Sequence, residues 1–312
     1  MFATLLGALP RPVGPGGQPI ADDDAAVVIA LAAQSAAGLE PLTDGRLRAG
    51  GSFWEPTRDT AIVADAWRFA VDHGDGVVKQ ALPGPYTLGR RADHEDRDAS
   101  TRAWARLLRE HVSALAEAGC PLIEIEEPDA HLIGEDPRER RRFADAHVLM
   151  LEGIAGVHLS LAITGGNADT AGIETILAAP YASLAVDLID GPDNWRLVTS
   201  TPGDRGIICG VVSTSEASDD AADLMLWAAA YASASEGRGA TRVGLGTAGG
   251  FGGLPWDVAE RKMRALGEAA RLAQRPLSEV AQHLDPRAID IKSAALGRYV
   301  PRSGRRPQRP LP

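Results

Sequence analysis

The sequence predicts an α/β fold, a (β/α)8 TIM barrel. Three observations predict it. Strand-like and helix-like runs alternate from end to end, which implies a parallel sheet. Eight strand candidates occur, each followed by a helix or by a loop and a helix. These units occupy residues 1–285, near the roughly 250 residues usual for such a barrel. The rival is a doubly wound open sheet, which the even eight-fold count disfavours. No Gly-x-Gly-x-x-Gly follows the first strand, which weakens a dinucleotide-binding reading. No linker divides the chain. Residues 1–285 therefore read as one barrel domain, and 286–312 as an Arg/Pro-rich, flexible extension.

The elements follow in order. Phe2 to Leu9 is an apolar run stopped by Pro10. Asp22, Asp23 and Asp24 offer an N-cap and a negative first turn, and a helix follows to Gly38. Pro41-Leu42-Thr43 is a short second strand ending at Asp44-Gly45. A helix over 59–72 leads to a third strand, Val77 to Leu82, closed by Pro83-Gly84-Pro85. A long helix over 99–118 precedes the strand Pro121 to Glu126. A helix over 137–153 precedes GVHLSLAIT, residues 156–164. In that strand Val157, Leu159, Leu161 and Ile163 alternate with His158 and Ser160, so the last two share a face. A short helix near 170–178, strands at 182–189 and 206–212, and a helix at 219–234 come next. A strand at 241–246 leads to helices at 255–274 and 276–284.

Composition narrows the function. The net charge of -10 argues against general nucleic-acid affinity. No apolar stretch approaches the roughly 20 residues of a membrane span, and no signal peptide is evident at the start. Two cysteines, Cys120 and Cys209, exclude a disulfide framework and a Cys-rich zinc site, and favour a cytoplasmic location. The tail carries Arg298, Arg302, Arg305, Arg306 and Arg309 among prolines. It reads as a solvated end, or as an arm covering a neighbouring subunit or an anionic ligand.

In a barrel the site lies at the C-terminal ends of the strands. There the sequence sets Gly7 and Ala8, then Asp44 and Arg46, then Tyr86, Thr87 and Arg90. Further on come Glu126, Glu127 and Asp129, then His158, Ser160 and Thr164, then Asp187 and Asp190. Ser213 and its neighbours and the glycine-rich LGTAGGFGG with Thr247 complete the set. Acidic groups dominate, which suits a substrate ammonium, a metal ion or acid–base work. Each has a plainer reading. Glu126-Glu127-Pro128 can end a strand and cap a helix, His158 can be a satisfied core residue, and the glycines can form a turn without any bound phosphate. Asp187 in an apolar strand must be paired or functional.

In their order and spacing these motifs resemble the catalytic C-terminal barrel of cobalamin-independent methionine synthase, in its short archaeal-type form. That family shares its fold with uroporphyrinogen decarboxylase. TLLGALPRP resembles the family's opening strand, AAQSAAGLEPLTDG its Gln-Glu-x-Gly-Leu-Asp segment, and KQALPGPYTL its Gly-Pro-Tyr-Thr stretch. IEIEEPD resembles Ile-Gln-Ile-Asp-Glu-Pro-Ala, and VGLGTAGGFGGLPW stands where the family has Asn-Pro-Asp-Cys-Gly-Leu. The resemblance implies methyl transfer to a small acceptor from a folate or corrinoid-bound donor.

The family's zinc ligands map onto His158, Ser160, Asp187 and Thr247, so both thiolates are missing. Hydroxyls are poor zinc ligands, and the expectation is a vestigial metal site, with zinc not retained. The implied catalytic residues are His158, Asp187 and Glu126. Gly7, Ala8, Gln34, Asp44, Tyr86, Thr87, Arg90, Ser160, Ser213 and Thr247 are the implied substrate-binding set. Two other readings stay open. One is a metal-free lyase or decarboxylase in which Arg46 and Arg90 hold acidic groups. The other is a non-catalytic barrel that binds a metabolite or serves a methyl-transfer system as a homo-oligomer or as partner of a methyl-donor protein.

Overall fold

The computed structural model describes residues 1–48, 53–92, 95–275 and 279. The helix expected at 276–284 and the tail at 286–312 lie outside these residues, apart from Glu279. Among the described residues, seven parallel strands form one curled sheet in the order β1-β7-β6-β5-β4-β3-β2. They are β1 (Phe2–Thr4), β2 (Gln80–Pro83), β3 (Leu122–Glu126), β4 (His158–Ile163), β5 (Ser183–Asp187), β6 (Gly206–Val212) and β7 (Val243–Thr247). Helices follow on the outside: α1 (Asp23–Ala37), α2 (Ala61–His73), α3 (Pro85–Arg91), α4 (Arg97–Glu117), α5 (Pro137–Leu151), α6 (Ile173–Ile176), α7 (Trp195–Ser200), α8 (Ala222–Ala234) and α9 (Trp256–Leu272). Among the described residues no helix is long and apolar enough to cross a membrane.

The expected second strand, Pro41-Leu42-Thr43, is not a ladder strand. It makes isolated bridges, through Glu40 to Ala3 and through Leu42 to Val78. Glu40 N–H donates to Ala3 O at 2.8 Å, Leu42 N–H to Val77 O at 2.7 Å, and Lys79 N–H to Leu42 O at 2.9 Å. The segment thus touches both edges of the sheet and gives it a barrel-like outline. Pro41 has no N–H to give, so a regular ladder cannot run through it.

Local chemistry accounts for the helix ends. Asp22 accepts from Ala25 N–H at 2.7 Å, and Gly38 closes α1 in the left-handed region at φ 77°. Helix α3 was not anticipated, because the sequence reading only closed the third strand at Pro83-Gly84-Pro85. Pro85 at its first turn and Glu127 at its N-terminus build it. Helix α7 was also not anticipated. It is a short turn behind the three-residue 3-10 helix Pro192–Asn194.

Alternation sorts the strand residues into two sets. Ile123, Ile125, Leu159, Leu161, Leu184, Val186, Ile207 and Leu245 belong to the large core that includes the helices. Each such burial contributes on the order of 1.5–3 kcal/mol. Paired positions of parallel strands share a face, so the inner rows follow from the register. One inner row is Ala81, Glu124, Ser160, Ser183 and Gly206. The next is Pro83, Glu126, Ala162, Ala185 and Ile208. Bulky branched residues usually fill a barrel's interior. Here small residues and carboxylates line much of it.

Candidate functional site

The strands are parallel, so their C-terminal ends share one rim. Glu126 is the last residue of β3 and faces inward there. Its carboxylate pairs with Arg46, and both side chains are almost wholly buried, at 4% and 9% exposed. The Arg46 guanidinium lies 3.5 Å from the centre of the Phe53 ring and 5.4 Å from that of Trp54, a cation–π seat. Beyond it Arg91 forms a two-point pair with Asp129, at 3.1 and 2.6 Å, and stacks on Trp54 at 4.6 Å.

Among the described residues, two polar atoms in this cluster are buried without a hydrogen-bond partner, Glu126 Oε1 and Arg46 Nε. Asp44 sits beside them and accepts from Arg46 N–H at 3.0 Å. Burial raises the Asp44 pKa above the usual carboxylate range, against the pull of Arg46 and Arg48. Burial also lowers Arg46 to about 10, with Glu124 and Asp44 opposing the shift, so the guanidinium stays charged at neutral pH.

Glu127 has a different task. It is fully buried and accepts from Tyr86 N–H at 2.9 Å, Thr87 N–H at 2.8 Å and Thr87 Oγ1 at 2.5 Å. His147 Nε2 meets its other side at 3.0 Å, and His147 Nδ1 meets Tyr181 Oη. Glu127 therefore anchors the first turn of α3. Tyr86 and Thr87, expected at the substrate, are tied into this network. Tyr86 Oη donates to Glu139 Oε2 on α5 at 2.7 Å, so it points into the helical layer. Arg90 lies half-buried near the end of α3.

Several expected site residues do not meet. His158 opens β4 at the N-terminal rim, with Nε2 2.8 Å from Ser183 Oγ. Glu126 pairs in register with Ala162, four residues beyond His158. At about 3.3 Å per residue that is roughly 13 Å along the strand. Asp187 lies further still, because Ser183 pairs with Ser160 and Asp187 is four residues on. His158 and Asp187 are thus six positions apart, or about 20 Å. They cannot form one catalytic pair or share a metal.

The other expected site residues have partners within the fold. Asp187 accepts from Ile189 N–H at 2.9 Å, Asp190 N–H at 3.0 Å and Gly165 N–H at 3.3 Å, and burial raises its pKa. It ties two loops together. Thr247 Oγ1 accepts from Leu6 N–H at 2.9 Å and donates to Leu6 O at 3.3 Å, clamping β7 to the exit of β1. Gln34 exchanges hydrogen bonds with Thr43 N and O at 3.0 and 2.8 Å, holding α1 to the bridging segment. Ser213 Oγ accepts from Ser215 N–H at 3.1 Å within its own turn. Gly7 and Ala8 pack on the glycine-rich loop. A Cβ on Gly7 would come within 2.6 Å of Gly250 Cα, and one on Gly250 within 2.7 Å of Ala8 N. Close backbone packing thus accounts for those glycines.

The donor set does not fit a thiolate zinc centre. Cys120 precedes β3 at the N-terminal end, and Cys209 is buried in β6 with Sγ 4.0 Å from Ala228 O of α8. Burial pushes the two thiols up to about 11 and about 12. Among the described residues no group of three or more His, Cys, Asp or Glu is placed to hold a metal ion.

What sequence reading missed is Lys79, whose ammonium lies inside the sheet 2.7 Å from Glu124 Oε2 and 2.7 Å from Leu5 O. A lone lysine at the head of an apolar strand was the available signal. The Phe53-Trp54 wall was also missed, though two adjacent aromatics in the sequence mark it.

Two solved structures of similar fold share this architecture. One is a B12-independent methionine synthase from Shewanella sp. W3-18-1 in complex with selenomethionine, at TM-score 0.73 and 14% identity, covering 88% of this chain and 98% of that one. The other is a putative vitamin-B12 independent methionine synthase from Listeria monocytogenes, at TM-score 0.66 and 16% identity, with the same coverage of each. No protein-family model matches the chain, and no curated protein matches it. At these identities the likeness is one of fold: the chain folds as the B12-independent methionine synthases do.

Proposed function

We propose that the chain is a (β/α)8-type, methyltransferase-like enzyme that binds a small, amine-bearing molecule at the C-terminal rim, without a thiolate zinc site. The bridging segment Glu40–Leu42 would supply the eighth stave. The observation that carries the reading is the free, buried Glu126 Oε1 at the end of β3, in a fold like that of a selenomethionine-bound methionine synthase. A buried carboxylate oxygen with no partner is costly unless a ligand completes it. An ammonium supplies what it lacks.

Arg46 holds the other carboxylate oxygen and turns Oε1 toward the ligand. The faces of Phe53 and Trp54 keep the guanidinium in place and shield the pair from water. Asp44, its carboxyl biased toward the protonated form by burial, is the rim group best suited to carry a proton. In the transfer the acceptor's nucleophilic atom forms the new bond to the methyl carbon as the donor–methyl bond breaks. An acceptor that still carries its proton gives it to the ionised form of Asp44, which hands it on to the donor atom that the methyl group leaves. A methylated folate or corrinoid is the donor class the resemblance implies. Without a zinc-bound thiolate, the acceptor must be nucleophilic by itself, as a selenol is at neutral pH.

The test is calorimetric binding of selenomethionine and methionine, paired with a methyl-transfer assay using homocysteine or selenohomocysteine and 5-methyltetrahydrofolate or methylcobalamin. Binding by the parent that falls at least tenfold in Glu126→Gln supports the reading. Equal affinity in the two proteins, or no binding at millimolar ligand, removes Glu126 as the amine site. Binding without turnover of any donor would leave the chain a metabolite-binding barrel.

A further inference from the structure

The N-terminal mouth of the sheet, opposite the rim just described, opens into a cavity of about 550 Å³. That is within the roughly 300–1,000 Å³ typical of small-molecule sites. The mouth is open because its inner row is small: Ser160, Ser183 and Gly206 stand where branched residues would plug a barrel. Phe2, Val77, Leu122 and Ile208 give the cavity apolar walls.

Two polar groups among its lining residues are left over. Glu124 is 2% exposed and Ser160 1%. Glu124 Oε2 is taken by Lys79, yet among the described residues Oε1 is buried without a partner, and so is Ser160 Oγ. Lys79 and Glu124 alone would read as a strut that secures the Leu5 carbonyl. A strut does not explain a carboxylate oxygen and a hydroxyl left without partners, among the described residues, on two side chains that line an open cavity. Each is costly when left unsatisfied in an apolar setting. The apolar walls and the Lys79 ammonium beside Glu124 favour a neutral donor over a second cation.

We propose that this N-terminal cavity is a second binding site, taking a small, largely apolar molecule that presents one neutral N–H or O–H donor to Glu124 Oε1 and Ser160 Oγ. His158, at the cavity's mouth and held by Ser183, orients the entrance instead of serving the opposite rim. The site is independent of Glu126 and of methyl transfer.

Indole and indene make a matched pair of probes, alike in shape but differing in the ring N–H. The parent protein should bind indole about tenfold more tightly than indene. Ser160→Leu, which fills the cavity, should abolish indole binding. Ser183→Leu fills it from the next strand and serves if the first variant does not fold. Glu126→Gln should leave indole affinity unchanged, which separates this site from the proposed amine site. Crystals soaked in 5-bromoindole should show bromine anomalous signal between Phe2 and Ser160. Equal binding of indole and indene, survival of binding in a folded cavity-filling variant, no binding at millimolar indole, or a bromine located elsewhere would overturn the proposal.

Discussion

Removing Lys79 alone should cost more stability than removing Lys79 and Glu124 together. The two side chains are 1% and 2% exposed, with Nζ and Oε2 2.7 Å apart. At an effective dielectric of 20 that separation corresponds to about 6 kcal/mol of attraction. Dehydrating two ions costs several kcal/mol each and cancels most of it. The pair is therefore worth little net, but half of it is expensive. In Lys79→Met, Glu124 would lose its single partner, since Oε1 already has none. The expected loss is about 3–5 kcal/mol. Lys79→Met/Glu124→Leu should recover to within about 2 kcal/mol of the parent, because no buried charge remains and only the Leu5 carbonyl is left without its donor. Urea unfolding with unchanged slope gives these differences directly. A single variant within 1 kcal/mol of the parent, or a double variant as weak as the single, would refute the reasoning.

Other residues give sharp expectations. Burial raises the Asp44 pKa, so ionising it weakens the fold as pH climbs from about 4 through the folded value. Asp44→Asn, which keeps the acceptor for Arg46 N–H, should gain stability relative to the parent across that window, and parallel pH–stability curves would contradict this. Gly267→Ala should destabilise by about 1–3 kcal/mol or more, because its Cβ would fall 1.8 Å from Ala37 O and push α9 off α1. Gly253→Ala, with nothing within 4 Å of its Cβ, is the control and should change stability by less than about 0.5 kcal/mol. Ser160→Cys/Thr247→Cys should bind no more zinc than the parent in an equilibrium dialysis measurement. Thr247 is clamped to Leu6 at the end of β7, while Ser160 belongs to the row that pairs with Ser183 near the N-terminal mouth. A tighter zinc site in that variant would mean the two positions converge after all.

Periodicity and caps made most of the framework readable from sequence. The run GIICGVV is β6 from end to end, and Asp22 and Gly38 bracket α1 as their chemistry requires. Alternation in HLSLAI correctly separated Leu159 and Leu161 from His158 and Ser160. Depth was not readable. Alternation reports which face a side chain takes, but only pairing with a neighbouring strand says how far along the sheet it lies. That is why His158 was assigned to the C-terminal rim when it stands at the other. Helix α3 was hidden for a related reason, since its N-terminus rests on Glu127 from a distant strand. The Arg46–Glu126 pair joins residues 80 positions apart. Sequence reading named both partners but could not join them.

The most direct test of the account is the position of selenium in crystals of this protein soaked with selenomethionine. The account predicts an anomalous peak at the C-terminal rim, with the ligand's amine within hydrogen-bonding distance of Glu126 Oε1. A peak in the N-terminal cavity beside Ser160, or none at a saturating concentration, would contradict it.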